Sequence, residues 1–214
     1  MKKIVIIING NGGVGKDTLC DLAGQSFKVK SISAITPIKN IALEHGWKGE
    51  KDARARKFLS DLKRTFIDYN DLPYNYLMGE YKRFLEEEEE ILFVHIREGE
   101  EIDKFKKDVK IPCITLLIRR KAIQMNWGNE SDDDVEKYRY NYCYNNDKSL
   151  SDAKTDFVGF LREVMEREQK KNEKMIQEQK INGKNTACVS KKIRDILPTL
   201  YKKERESSKG MQRV

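Results

Sequence analysis

The chain has 214 residues, 38% of them hydrophobic and 36% charged, with 42 Lys and Arg against 35 Asp and Glu for a formal charge of +7. That length buries one substantial core, so a single α/β domain is the default. The apolar runs are too short to cross a bilayer, which predicts a soluble, cytoplasmic protein with no membrane partner. Four scattered cysteines, Cys20, Cys113, Cys143 and Cys188, with only two histidines, exclude a zinc constellation of ordinary spacing and predict buried free thiols, since Cys113 and Cys143 fall inside expected strands.

Ile4 to Ile8 is apolar and β-branched throughout, the pattern of a strand buried on both faces of a parallel sheet. Four glycines within six residues follow, Gly10, Gly12, Gly13 and Gly15, and Asp17 to Leu22 opens a helix. Lys28 to Ser33 fits a second strand. Thr36-Pro37 starts a helix, the threonine as its cap, with Ile38, Ile41, Ala42 and His45 on one face and Gly46 as its stop. Gly49 to Asp71 carries the next helix, its stripe of Phe58, Leu59, Leu62 and Phe66 ringed by Arg54, Arg56, Lys57, Lys63 and Arg64. Leu72-Pro73 breaks it.

Tyr74, Leu77, Met78, Tyr81 and Leu85 then recur at helical spacing up to the acidic run Glu86 to Glu90, a solvated helix end or turn. Ile91 to Ile96 is a third strand, Glu100 to Lys107 a helix, and Pro112 to Ile118 a fourth strand leading into Arg119-Arg120. Asn126 to Asp134 reads as a mobile polar loop. Tyr138 to Tyr144 is a short last strand, and Ser151 to about Gln179 a helix with Phe157, Phe160, Leu161 and Val164 as its stripe. Beyond Met165 that stripe thins to Met175 and Ile176, so the helix is expected to leave the body.

The predicted fold is α/β: a three-layer αβα, doubly wound, mostly parallel sheet of about five strands with a helical C-terminal extension. Residues 1–165 make the domain and 166–214 a basic extension, helical or disordered, with a second helix expected at Ser190 to Glu206. From Arg162 onward fifteen basic residues stand against eight acidic ones, so the charge excess lies in the tail. A nucleic-acid partner is expected only through that tail.

The stretch Gly10-Asn11-Gly12-Gly13-Val14-Gly15-Lys16-Asp17-Thr18 matches G-x-x-x-x-G-K between a strand and a helix, the context in which backbone N–H groups and a helix N-terminus cradle phosphate. Lys16 supplies a point charge for the β- and γ-phosphates. Asp17 stands where serine or threonine usually offers magnesium a hydroxyl; a carboxylate suits that hard ion directly or through water, and Thr18 follows with a hydroxyl. In open α/β sheets ligands bind beyond the carboxyl ends of the strands, which singles out His95, Arg97, Arg119 and Arg120. Arg97 is read either as a phosphate ligand or as a partner of Glu98 or Glu101. At least one of Arg119 and Arg120 must point away from the cleft. His95 is either a satisfied core histidine or a partner of Asp17 or phosphate behind the metal. Arg54, Arg56, Lys57 and Tyr69 could receive a second substrate or simply face solvent.

With these residues in view, the chain resembles the nucleoside and deoxynucleoside monophosphate kinases of the phosphate-loop superfamily, in particular the phage-type deoxynucleotide monophosphate kinases. The likeness is carried by Gly15-Lys16-Asp17-Thr18, Pro37-Ile38-Lys39, Arg56 to Lys63, Val94 to Glu98 with Glu101-Ile102, Leu117 to Arg120, and Tyr140 to Leu150. It implies ATP and Mg2+ as cofactors and a small phosphorylated acceptor. The segments about 36–88 would cover that acceptor, with Arg54 and Arg56 on its phosphate, and about 121–137 would form a lid over ATP. Two departures stand out: His95 where the pattern often has aspartate, and no arginine between Trp127 and Lys137. Phosphomevalonate kinases of the animal type share the G-K-D loop, and a kinase for another metabolite, phosphomevalonate-like or coenzyme A precursor-like, is the alternative enzyme reading. A nucleotide-binding regulatory or nucleic-acid-associated module is the reading from another class.

Overall fold

The computed structural model describes residues 3–121 and 135–178, in the order β1 (Ile4–Asn9), α1 (Lys16–Gly24), β2 (Val29–Ser33), α2 (Thr36–Glu44), α3 (Ala53–Asn70), α4 (Leu72–Glu86), β3 (Ile91–His95), α5 (Gly99–Asp108), β4 (Cys113–Arg119), a short 3-10 turn (Val135–Lys137) and β5 (Tyr142–Asn145). The chain divides at Glu166. Residues 150–166 are helical and close the first unit; the second is described from Arg167 to residue 178 and is helical over that stretch. The expected lid loop Asn126 to Asp134, Cys188 and the Ser190 to Glu206 helix lie outside the described residues.

All five strands are parallel, in the order β2-β3-β1-β4-β5. This is the expected three-layer αβα architecture. β1 sits at the centre and every one of its residues is buried, because α-helical layers cover both faces of a parallel sheet. Alternate residues part to opposite layers: Ile4, Ile6 and Ile8 pack with Leu19 of α1 and Phe157 of the 150–166 helix, whereas Val5 and Ile7 pack with Phe84 of α4 and Phe105 of α5.

Several expected details shift. Thr36 is the first helical residue of α2, with Ile35 before it and no side-chain cap, while Gly46 at φ 99° ends the helix as expected. The buried stripe of α4 is Pro73, Leu77, Tyr81 and Phe84, one position round from the expected Tyr74, Met78 and Leu85, and Leu85 is exposed. Glu80 joins that stripe because Lys30 at 3.2 Å and Arg83 at 2.7 Å neutralise its carboxylate. The acidic run does end a helix, but Glu87 is bound by Lys30 of the edge strand β2 at 2.6 Å and Glu88 by Lys28, just before that strand, at 2.5 Å.

Cys143 is exposed, contrary to expectation. Tyr142 and Tyr144 of the edge strand β5 turn toward the 150–166 helix, so the residue between them faces the other way. Cys20 is buried and Cys113 half-buried, and all three described cysteines are free.

Ile7→Ala, which removes a fully buried side chain from the central strand, is expected to cost about 2–5 kcal/mol. Urea unfolding should show this as a lower midpoint at unchanged slope; a midpoint equal to wild type would contradict the two-faced burial of β1.

Candidate active site

From β1 the chain passes through α1 to β2 on one side of the sheet, and from β3 it passes through α5 to β4 on the other. The crevice therefore opens beyond the carboxyl ends of β1 and β3, where the connections part.

The loop after β1 owes its shape to glycines at left-handed dihedrals. Gly10 has φ 146°, and a Cβ there would run into the Ile118 carbonyl oxygen of β4. Gly15 has φ 90°, and a Cβ would lie 2.6 Å from Asn146 Nδ2. Two buried asparagines clasp the loop at either end. Asn9 Oδ1 accepts from Gly10 N at 2.8 Å, and its Nδ2 donates to Arg97 O at 2.9 Å and to Tyr140 Oη at 2.8 Å. Asn146 Nδ2 donates to Val14 O at 2.9 Å, and the Asn146 amide to Arg119 O at 2.7 Å. Between them Gly13, at φ 82°, is exposed and Gly12 half-buried.

Lys16 folds back over the loop, donating to Gly10 O at 2.6 Å and Asn11 O at 3.0 Å. Gly15 caps α1 without a side chain, and the first intrahelical bond is from Leu19 N to Gly15 O at 3.0 Å. The opening turn of the helix thus presents its dipole and backbone donors without a competing carboxylate or hydroxyl cap, which fits a phosphate ligand. Asp17 and Thr18 are exposed beside it. Among the described residues no group of three or more His, Cys, Asp or Glu gathers as a metal site. The donor set fits an ion that keeps several waters and shares phosphate oxygens, as magnesium does.

His95 ends β3 with a side chain 16% exposed. Its Nδ1 lies 3.8 Å from Asp17 Oδ1, and its Nε2 lies 3.0 Å from Ser31 Oγ and 3.9 Å from Cys20 Sγ. Burial lowers the imidazole pKa and Lys16 adds to this, with Asp17 opposing. Burial, then the Asp17 and Asp21 carboxylates, push the Cys20 thiol far up, so it keeps its hydrogen.

Arg97 is exposed just beyond β3. The carboxylates that the sequence offered it are held by Lys63 of α3, at 2.7 Å to Glu98 and 2.8 Å to Glu101. Against the burial that favours its neutral form, Lys63 holds Glu98 below the usual carboxylate range, while burial pushes Glu101 up. Arg119 is exposed at the end of β4 and makes a fork with Glu136, Nε at 3.1 Å and one terminal nitrogen at 2.5 Å. Arg120 is exposed beside it.

Arg54, Arg56 and Lys57 are exposed in the first two turns of α3, and Lys57 pairs with Asp61 at 2.7 Å. Tyr69 is 81% exposed, but it lies fifteen positions along the helix from Arg54, about 22 Å along the axis. One small acceptor cannot span both. The structure brings together the loop, His95, Arg97, Arg119 and Asn146, and leaves Tyr69 apart. Sequence reasoning missed Asn9, Ser31, Cys20, Lys63 and Asn146 as contributors. Asn9 carried a signal as the polar residue ending an otherwise apolar strand, and Asn146 and Lys63 lay inside segments that carry the likeness without being singled out.

No family model matches the sequence, and no curated protein matches it. Among solved structures, a chain from Chloroflexus aurantiacus described as a candidate kinase aligns with TM-score 0.49 and 13% identity, covering 78% of this chain and 97% of its own. A gluconokinase from Sinorhizobium meliloti aligns at 0.44 and 13%, covering 78% and 94%. A shikimate kinase from Aquifex aeolicus aligns at 0.44 and 13%, covering 76% and 98%. Likenesses of this size carry no argument about substrate or residue roles.

Lys63→Met leaves Glu98 and Glu101 without their cation and is expected to cost about 2 kcal/mol, between the values for exposed and buried pairs. Hydrogen exchange should quicken in α3 before it does in β1; uniform exchange across the two would refute the tether. Gly15→Ala, strained at its dihedral and crowded by Asn146, should weaken the binding of a nucleoside triphosphate at least tenfold by calorimetry, a loss of about 1.4 kcal/mol.

Proposed function

We propose that the chain is an ATP- and magnesium-dependent phosphotransferase that acts on a small phosphorylated acceptor. The observation that carries this is the uncapped start of α1 beneath a glycine loop and Lys16, set at the point where the sheet connections diverge. Magnesium-ATP, when bound, supplies the transferable phosphoryl group and neutralises part of its charge.

In this reading the amides of Gly12 to Thr18 hold the nucleotide phosphates, and Lys16 exchanges its two loop carbonyls for phosphate oxygens. Asp17 and Thr18 face the metal's waters. Arg97, with Arg119 or Arg120, stabilises charge growing on the transferred group, Arg119 first giving up Glu136. Arg54 and Arg56 reach for the acceptor phosphate. An acceptor whose nucleophile is already a phosphate oxygen needs no side-chain base.

The acceptor favoured by the sequence resemblance is a deoxynucleoside or nucleoside monophosphate. A panel of nucleoside monophosphates, phosphomevalonate and coenzyme A precursors, assayed by coupled ADP release, separates these acceptors. Lys16→Ala is expected to abolish transfer while leaving the circular dichroism spectrum unchanged; a variant that still turns over would sink the reading. Arg56→Ala should raise the acceptor KM about tenfold with little change in the KM for ATP, as expected for one lost charge-assisted hydrogen bond.

A further inference from the structure

The ring of His95 meets groups of different hydrogen-bonding character on its two sides. Nδ1 faces the Asp17 carboxylate at 3.8 Å, which can only accept; Nε2 faces Ser31 Oγ at 3.0 Å and Cys20 Sγ at 3.9 Å, each able to donate or to accept. Strand alternation explains the meeting. His95 follows Ile91 and Phe93 onto the α1 side of the sheet, Ser31 comes from the neighbouring strand β2, and Cys20 lies three residues beyond Asp17, on the same face of α1.

A neutral ring with its hydrogen on Nδ1 satisfies all of these neighbours. The other tautomer could still pair with Ser31, but it would aim a lone pair at a carboxylate.

We propose that His95 is a positioning residue: anchored by Ser31 and Cys20 as the Nδ1–H tautomer, it donates toward Asp17 and keeps that carboxylate turned to the water shell of a magnesium ion at the mouth of the loop. This rests on the reading of the loop as a magnesium-nucleotide site. His95 is then not a metal ligand, since both of its nitrogens are engaged elsewhere. Ser31, on an edge strand with no motif around it, becomes part of the metal's support. Groups that orient a metal ligand in this way change metal affinity by about 10–100-fold when removed.

The test has two arms. In 15N-histidine-labelled protein, with the His45→Gln variant to assign the other ring, the His95 signals should show a hydrogen on Nδ1 and a bare Nε2. They should become a tautomer mixture in Ser31→Ala, recover in Ser31→Thr, and shift in Asp17→Asn. An Nε2–H ring, an imidazolium, or signals indifferent to Asp17→Asn would overturn the proposal whether or not nucleotide binds. In the second arm, the magnesium concentration for half-maximal binding of a non-hydrolysable ATP analogue should rise about tenfold in Ser31→Ala and His95→Gln. It should return toward wild type in Ser31→Thr, with metal-free binding unchanged throughout. An unchanged magnesium requirement in both variants also overturns it. Wild-type protein that binds no analogue refutes the nucleotide reading instead, and the ring signals alone then decide the link between His95 and Asp17.

Discussion

A single buried amide holds the working edge of this molecule together. Asn9 is 1% exposed, and a side-chain amide taken that far from water must find partners or cost several kcal/mol. It finds three in three different places: the first amide of the phosphate loop, the carbonyl of Arg97 beyond β3, and the hydroxyl of Tyr140 ahead of β5. The loop, the arginine's backbone and the last strand are thereby indexed to the end of the central strand. Asn146 repeats the device on the far side of the loop, from Val14 to Arg119. Between these two residues the glycines are free to take their left-handed dihedrals without making the loop itself loose.

The parts legible in the sequence were those in which one local pattern has one physical meaning. An all-apolar, β-branched run followed by glycines and a lysine fixes a buried strand, a tight loop and a helix start, and β1, the loop and α1 lie there. Which of Ile4 to Asn9 faces which layer was not legible, because a strand buried on both sides has no polar phase to read. Leu77 and Tyr81 of the α4 stripe are buried as expected, but its margins were misplaced for a related reason. Tyr74, Met78 and Leu85 are apolar enough to serve, and only the pairing of Glu80 with Lys30 and Arg83 shows how a charged residue can take a place on the buried face. Cys143 failed through topology: an edge strand has one covered face, and the sequence does not say that β5 is an edge. Ser31, Cys20 and Lys63 act on residues 35 to 75 positions away, a distance at which sequence spacing carries no information.

α3 is the element least secured by burial. Among its eighteen residues only Ala55 is buried, and Phe58 is 44% exposed. What holds it is polar: Asp52 caps its start by accepting from Ala55 N at 2.7 Å, and Lys63 links its middle to the beginning of α5. A helix with few apolar contacts belongs to the low-stability end of a fold, from which moving parts are drawn. The cations proposed to meet an acceptor thus sit on the segment that can shift at least cost, while the loop sits on the most buried strand. In the proposed reading, rigidity and compliance are thus divided between the nucleotide and acceptor sides of the crevice.

The fork between Arg119 and Glu136 gives the site an internal counterion. A carboxylate and a phosphate compete for the same planar pair of donors, so the resting arginine is already screened, and an incoming anion engages it only by outbidding a monovalent acid. A doubly charged phosphoryl group does so more readily than a carboxylate or a singly charged ester. In the proposed reading, where Arg119 meets phosphate, one glutamate thus sets the valence that a ligand must bring before any contact with its organic portion is made.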